Sequence, residues 1–152
     1  MDILLKSTVI ACLLVFFSGS GLYAQEVNNS IESKVLEVAE QMPRFPGCET
    51  KFSDEEKAAC SERKMLMYVY SNVKYPSEAR KEGIMGTVQV EFVIGKEGRM
   101  KNVKLLEGVG GGCSEEVLRV FNQMSEEIVW IPAKDKGKTV NLKYTLPVKF
   151  SL

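Results

Sequence analysis

The carboxyl-terminal segment from residue 140 to residue 150 alternates between apolar and polar positions. Its even-numbered residues, from Val140 to Phe150, are apolar, and polar residues or proline occupy the odd positions. Because successive side chains of a strand point to opposite faces of the sheet, this pattern predicts a long strand with one face in the core. Pro147 has no N–H to donate, so the strand is expected at an edge of its sheet.

Two further alternating segments predict an antiparallel hairpin. From Gly86 to Ile94 the apolar residues occupy every second position, and the segment from Met100 to Glu107 returns with Val103 and Leu105 facing inward. The sequence GKEG between the two segments is typical of a turn that joins neighbouring strands.

Three segments have the periodicity or the boundary signals of helices. Apolar residues spaced by about 3.6 positions predict a helix from about Asp54 to Asn72, and Ser53 and Glu56 have the spacing of a capping box at its start. A short helix is expected from Pro76 to Glu82. The third helix follows a run of glycines, with Ser114 as its expected cap.

The order of these elements predicts an α+β fold. Numbered along the chain, the first strand (86–94) and the second strand (100–107) are antiparallel, and a helical crossover leads to the third, terminal strand. The simplest arrangement is a three-stranded mixed sheet with the strand order 2-1-3, in which the first strand is central and the terminal strand lies at an edge. The helices are expected to pack on one face of this sheet.

The amino end of the chain has the features of a targeting segment. Lys6 precedes an apolar run, small residues follow, and Ala24 occupies the position before an expected cleavage site. Residues 1–24 are therefore predicted to be a signal peptide. The alternatives are an uncleaved membrane anchor over about Ser7 to Ala24 and lipidation at Cys12. Each of the three would export the rest of the chain.

The length and composition of the chain predict one folded domain with an appendage. The 152 residues are 45% hydrophobic, which is enough for a single core. Residues 53–152 are expected to form this domain, and residues 25–52 a linker and loop. The 20 basic and 20 acidic side chains cancel, so no nucleic-acid partner is expected.

The chain contains no histidine, which argues against several kinds of chemistry. The sequence has neither a C-x-x-C pair nor a recognisable set of four zinc ligands, so no metal or other cofactor is predicted. Acyl-transfer chemistry would have to proceed without an imidazole base, and no enzymatic activity is expected.

Export would place the cysteines in an oxidising compartment, where pairing is favoured. Cys48 and Cys60 are the expected pair because they are close in sequence and flank the capping box of the first helix. A disulfide between them would hold the PRFPGC loop against that helix and stabilise the fold by about 2 to 3 kcal/mol. Cys113 is then left as a free thiol, which is expected to be buried and inert.

Several motifs, taken in order, resemble a known family. The sequence YPSEARKEGIMGTVQVEFVIGKEGRMKNVKLLEG begins at Tyr75 and is followed by a helix, by W-x-P at Trp130 and Pro132, and by the long terminal strand. This order is similar to the carboxy-terminal domain of the TonB family of Gram-negative bacteria, over about residues 65–152. The motifs EQMPRFPGC and YTLPVKF resemble the versions found in Bacteroidetes-like bacteria.

The resemblance implies a periplasmic α+β domain that docks the TonB box, a short peptide segment of outer-membrane receptors. In that family, an inner-membrane, proton-driven complex energises the docking and permits uptake of bulky nutrients. A full transducer has a membrane helix with a histidine and a proline-rich spacer, and this sequence has no histidine and no proline-rich repeat. The resemblance therefore supports receptor binding more than energy transduction, and the inner-membrane complex is a partner only if the amino end stays anchored. The alternative is a non-transducing envelope domain that binds another periplasmic protein.

The outer edge of the terminal strand is the predicted partner-binding site. An extended peptide could add to this edge by β-augmentation. The candidate contact residues are Thr139, Asn141, Lys143, Thr145, Tyr75 and Pro76. In an alternative arrangement, residues 35–45 fold back as a fourth strand and cover the edge.

Trp130 and Pro132 are expected to shape the corner that leads into the terminal strand. Trp130, the only tryptophan of the chain, is expected to pack against the helix side of the sheet. Cys48 and Cys60 complete the set of residues with predicted structural roles.

Overall fold

The fold is seen in a computed structural model, which describes residues 34–50 and 53–152. Along the chain the elements are β1 (Val35–Leu36), α1 (Asp54–Asn72), α2 (Ser77–Glu82), β2 (Gly86–Ile94), β3 (Met100–Glu107), α3 (Cys113–Glu127), β4 (Ala133–Asp135) and β5 (Lys138–Phe150). The predicted signal peptide, the alternative anchor and the alternative lipidation at Cys12 lie outside the described residues. Within the described part of the chain, no helix has the length and apolar character needed to cross a bilayer.

The first two predicted helices are present, and their ends have identifiable causes. Helix α1 begins after Ser53, whose hydroxyl accepts a hydrogen bond from Glu56 N at 3.3 Å, while Glu56 Oε2 accepts from Ser53 N at 2.8 Å. This geometry confirms the predicted capping box. Helix α2 begins at Ser77, one residue after the predicted start at Pro76, and it ends at Gly83, which has a left-handed φ of 67°.

Helix α3 is also present, but it begins differently from the prediction. Its N-cap is Gly112, which has a left-handed φ of 83° and no capping side chain. Ser114 lies inside the helix, where its hydroxyl accepts from Val109 N and donates to Val109 O, each at 2.8 Å. The predicted Ser114 cap was therefore wrong, because this serine instead holds the glycine turn that precedes the helix.

One mixed sheet contains the predicted strands, but it is larger than predicted. Its strand order is β1-β5-β2-β3, and β4 pairs with β5 beside that path. The expected three-stranded sheet of order 2-1-3 is thus corrected to five strands in a different order, while the α+β class and the position of β2 between β3 and β5 are confirmed. Strand β4 was missed, and β1 was included only in the alternative with a fourth strand over residues 35–45, because β1 has only 2 residues and β4 only 3, too few for a periodic signal.

The pairing of β5 with β2 places the core. The two strands are antiparallel, from Gly86 opposite Phe150 to Ile94 opposite Leu142. Because they alternate in the same phase, the even-numbered side chains of both strands share one face, on which the helices pack. Phe92 on this face contacts Phe121 of α3 and Tyr144 of β5, with ring centroids 5.5 Å apart in each pair.

Trp130 lies where this core meets the amino-terminal segment. It is 3% exposed, and its ring packs edge-on against Phe45 at 5.4 Å and in a tilted arrangement against Phe92 at 6.0 Å. Its backbone N–H donates to Gly98 O at 2.8 Å, which joins the corner before β4 to the hairpin turn. Pro132 lies immediately before β4 and is half-buried.

Replacing Trp130 by alanine is expected to lower the free energy of unfolding by about 3 to 5 kcal/mol, because contacts with two core rings are lost and a cavity remains. Urea denaturation followed by circular dichroism measures the change. Val129→Ala is the matched control, because Val129 is 49% exposed. Its truncation is expected to cost less than about 0.5 kcal/mol, and a cost below about 1 kcal/mol for Trp130→Ala would contradict the packing role of the ring.

Candidate functional site

The outer edge of β5 is open over its carboxyl-terminal half. On the inner side, β5 pairs with β2 from Leu142 to Phe150. β1 pairs with residues 141–142 on the outer side, away from β2, and β4 pairs with residues 138–140. Among the described residues, no strand pairs with the outer side beyond Leu142. Residues 143–150 therefore form an open edge, which we call the β5 edge.

One hydrogen bond shows which backbone groups of the β5 edge point outward. The N–H of Lys149 donates to the Tyr70 hydroxyl of α1 at 3.3 Å, so this N–H faces away from β2. Backbone groups alternate between the two sides of a strand, so those of Thr145 and Pro147 also face outward. Pro147 thus removes no hydrogen bond with β2, which explains why a proline is tolerated here. The outward N–H of Thr145 and the carbonyls of Thr145 and Pro147 are not paired with any described strand.

The structure divides the predicted contact residues of the terminal strand into two groups. Lys143 and Thr145 lie on the β5 edge. Thr139, in contrast, is paired with β4, and Asn141 is paired with β1. Asn141 is also buried, and its side-chain oxygen accepts from the N–H of Lys96 at 3.0 Å. Of these four residues, Lys143 and Thr145 lie on the part of the strand whose outer side pairs with no described strand.

Tyr75 and Pro76 lie near the carboxyl end of β5. The Tyr75 ring packs edge-on against Phe150 at 5.4 Å, and its hydroxyl donates to Ile84 O at 2.5 Å. Tyr75 and Lys149 both line a cavity of about 280 Å³. Tyr75 therefore borders the end of the β5 edge, while Pro76 precedes the first turn of α2.

The segment that follows β1 covers the edge only in part. Residues 35–36 pair with β5, and the chain then leaves the edge. Gln41 and Arg44 exchange backbone hydrogen bonds of 2.9 Å with the segment 131–134 instead. The alternative arrangement, in which residues 35–45 cover the edge as a fourth strand, is realised only at its first two paired residues.

Two cavities adjoin the β5 edge. The first, which we call the edge groove, has a volume of about 540 Å³ and is lined by residues 143–147, Glu37, Met42, Glu62 and Glu91. The second, which we call the tryptophan cavity, has a volume of about 510 Å³ and lies between residues 40–44, one face of α1, Trp130 and Tyr144. Met42, Glu62 and Tyr144 line both cavities, so the two meet at these side chains.

An ion pair stands at the start of the edge groove. Lys143 Nζ lies 2.7 Å from Glu37 Oε1 and 3.6 Å from Glu91 Oε2. The hydrogen bond between Lys143 and Glu37 raises the pKa of the lysine and lowers the pKa of the glutamate, so both are charged at neutral pH. Both are open to solvent, and the pair is expected to add little stability. Tyr144 is more buried than these two residues. Burial raises the pKa of its hydroxyl, and the negative charge of Glu62 raises this pKa further.

A disulfide holds one wall of the tryptophan cavity. Cys48 and Cys60 are bonded, with their Cα atoms 6.0 Å apart, which confirms the predicted pair. Close by, the N–H of Phe45 donates to the buried Ser61 hydroxyl of α1 at 2.5 Å. The segment 40–48, which supplies the cavity wall, is therefore tied to α1 at two neighbouring points.

Cys113 is buried at the start of α3 and has a free thiol. Burial raises the pKa of this thiol, and the charge of Glu115 adds to the effect, so the thiol stays protonated and unreactive at neutral pH. Within the described ranges, no group of three or more His, Cys, Asp or Glu side chains is placed to hold a metal ion.

Sequence comparison identifies the family of the chain. The family model described as Gram-negative bacterial TonB protein C-terminal matches residues 71–152, more than half of the chain. The chain belongs to this TonB C-terminal family. Among curated proteins, no sequence matches it.

Two solved structures of TonB C-terminal domains are similar to the chain. Both are NMR solution structures of the domain from Helicobacter pylori, in a longer and a shorter form. The longer form has 19% sequence identity and a TM-score of 0.48, with 68% of this chain and 86% of that chain covered. The shorter form has 23% identity and a TM-score of 0.44, with 59% and 91% covered.

The boundary of the TonB C-terminal match divides the site into two parts. The β5 edge, β2 and Trp130 lie within residues 71–152. The segment 40–48, its disulfide and nearly all of α1 precede residue 71. The open edge is therefore part of the family domain, and most of the wall of the tryptophan cavity is supplied by the preceding part of this chain.

The side chains that surround the edge groove could not be predicted from the sequence. Glu37, Met42 and Glu62 come from separate parts of the chain, and the first two belong to a segment without a periodic pattern. Only tertiary pairing brings them together. The one available signal was Cys48 with its PRFPGC loop, which indicated that this segment is held against α1.

Reducing the Cys48–Cys60 disulfide is expected to lower the free energy of unfolding by about 2 to 3 kcal/mol, because the bond restricts the unfolded chain. Urea denaturation with and without reductant measures this difference. A double variant, Cys48→Ser with Cys60→Ser, is the control, and its stability should not respond to reductant. Equal stability of the oxidised and reduced native protein would refute the expectation.

Proposed function

We propose that this TonB C-terminal domain binds an extended peptide by β-augmentation at the β5 edge. The observation that carries the proposal is that no described strand pairs with the outer side of residues 143–150, while the inner side of the strand is paired and its apolar face is in the core. Main-chain hydrogen bonds would supply affinity with little demand on the sequence of the peptide. The outward groups of Thr145 and Pro147 are the first that such a peptide would engage.

The proposed partner is the TonB box of an outer-membrane receptor. Membership of the TonB C-terminal family supports this partner and a periplasmic location. Residues 1–24 would direct export, and the bound domain would support energised nutrient transport across the outer membrane. An inner-membrane, proton-driven complex is a further proposed partner where the amino end is anchored. A non-transducing envelope domain that binds another periplasmic protein at the same edge is the alternative, and no catalytic role is proposed.

The proposed contact region lies closer to the carboxyl end of β5 than the sequence predicted. Asn141 is paired with β1 on the outer side, so a peptide could pair with it only if β1 separated from β5, and Thr139 lies in the segment that pairs with β4. Lys143 and Thr145 keep the proposed role. Tyr75, at the end of the edge, would contact a peptide that extends past Phe150.

Thr145→Pro is expected to weaken peptide binding about tenfold, because it removes an outward N–H that an added strand would use. The free energy of unfolding should change by less than about 1 kcal/mol, since this N–H does not bond to β2. Calorimetric titration with a receptor TonB-box peptide measures the first effect, and urea denaturation the second. Thr145→Val keeps the N–H and is the control, which should bind the peptide like the native protein.

Hydrogen exchange locates the bound peptide. Exchange at the Thr145 amide is expected to slow when the peptide is added, because the amide gains a partner. Protection confined to β3, at the opposite edge of the sheet, or undiminished binding by Thr145→Pro would contradict the proposal. Capture of outer-membrane receptors by the native protein and not by Thr145→Pro would support the proposed partner, whereas capture of other periplasmic proteins alone would favour the alternative.

A further inference from the structure

The tryptophan cavity lies beside the row of side chains that a bound peptide would turn toward the helices. Tyr144 and Leu146 belong to the helix-side face of β5, and Tyr144 lines both the edge groove and the tryptophan cavity. A strand added to the β5 edge has the same alternation, so every second side chain would face α1. The cavity is therefore positioned to receive a side chain from this row.

The wall of the tryptophan cavity is largely apolar. Met42, Pro43, Ala59, Met65 and Trp130 contribute to its volume of about 510 Å³, which is ample for one large side chain. Trp130 is almost fully buried, and its Nε1 is a donor without a hydrogen-bond partner among the described residues. The cavity is thus suited to an aromatic or long aliphatic side chain rather than to a charged one.

The charges around the two cavities are mostly negative. The carboxylates are those of Glu37, Glu40, Asp54, Glu55, Glu62 and Glu91, and the cations are Arg44 and Lys143. Arg44 already has a carboxylate partner at 3.6 Å, and Lys143 has one at 2.7 Å. Glu62, where the two cavities meet, has no cationic partner among the described residues. A basic side chain is therefore the one that complements this surface.

We infer that a peptide on the β5 edge places one bulky apolar side chain in the tryptophan cavity and a lysine or arginine two residues away, beside Glu62. Residues two apart in a strand share a face, so both side chains would point toward α1. This inference rests on the proposed binding at the β5 edge and adds a sequence preference to it. Met42 and Glu62 precede residues 71–152, so the preference arises from this chain's own amino-terminal segment rather than from the matched domain.

Synthetic peptides test the preference directly. The reference probe is a blocked, threonine-rich peptide with a central phenylalanine and a lysine two positions to either side. A second peptide replaces the phenylalanine by alanine, and it is expected to bind roughly tenfold to a hundredfold more weakly because no large side chain is buried. A third replaces both lysines by glutamate, and its deficit should shrink as salt is added. Calorimetry measures the affinities.

Fluorescence reports occupancy of the cavity, because Trp130 is the only tryptophan of the chain. The phenylalanine peptide is expected to shift the emission of Trp130, and the alanine peptide at saturation is not. An identical response to both peptides at saturation would contradict placement of the phenylalanine in the cavity.

Two variants separate the apolar part of the preference from the charged part. Ala59 is exposed on α1 and lines the cavity, so Ala59→Phe should fill the space without disturbing the fold and abolish the preference for phenylalanine. Glu62→Gln should weaken binding of the lysine peptide about twofold to fivefold. Glu126→Gln is the matched control, because Glu126 is an exposed helical glutamate that lines neither cavity, and its binding should be unchanged.

The failure of this inference can be distinguished from the failure of the proposed function. Equal affinities for the phenylalanine and alanine peptides, both reduced by Thr145→Pro, would overturn the cavity assignment and leave binding at the edge intact. If the native protein bound none of the peptides, or Thr145→Pro bound them all undiminished, binding at the edge would fail and the inference with it.

Discussion

The antiparallel pairing of β2 with β5 is the constraint on which the rest of the structure depends. Its register, with Phe92 opposite Tyr144, places the even-numbered side chains of both strands under the helices. A shift by one residue would turn these apolar side chains toward solvent, so burial of the core maintains the register. The same register turns the backbone groups of Thr145 and Pro147 away from β2. One pairing therefore determines both the core and the open edge.

The length of an element decides how well the sequence predicted it. The strands β2, β3 and β5 have 9, 8 and 13 residues, which is enough for a clear alternation. The strands β1 and β4 form by contact with β5 and have almost no pattern of their own. For this reason the pairing of Thr139 with β4 could not be foreseen, and the pairing of Asn141 was included only in the alternative with a fourth strand over residues 35–45, although the alternation of β5 was clear. The tryptophan cavity could not be predicted from the sequence either, because its walls come from residues that only the tertiary structure brings together.

The β2–β3 hairpin and the tryptophan cavity are connected at Gly98, where a glycine is required for two reasons. Gly98 was interpreted as part of a hairpin turn, and its φ of 78° agrees with that role. A Cβ atom at this position would also collide with the carbonyl oxygen of Trp130. The turn and the corner before β4 can therefore approach closely only because a glycine is present. This approach positions the Trp130 ring against Phe45, so the geometry of the cavity wall depends on a turn that is distant in sequence.

An open strand edge is a hazard as well as a binding surface, because another copy of the same chain could pair with it. Several features restrict this: Pro147 interrupts the row of donors, the Tyr70 hydroxyl accepts the N–H of Lys149, and Lys143 and Lys149 bring positive charge to the edge. The same features leave few outward main-chain groups to which the proposed peptide could form hydrogen bonds. At about 1 kcal/mol for each net hydrogen bond, these groups alone give weak binding. Tight and selective binding at this edge therefore requires side-chain contacts, and the adjoining cavities are where the chain can supply them.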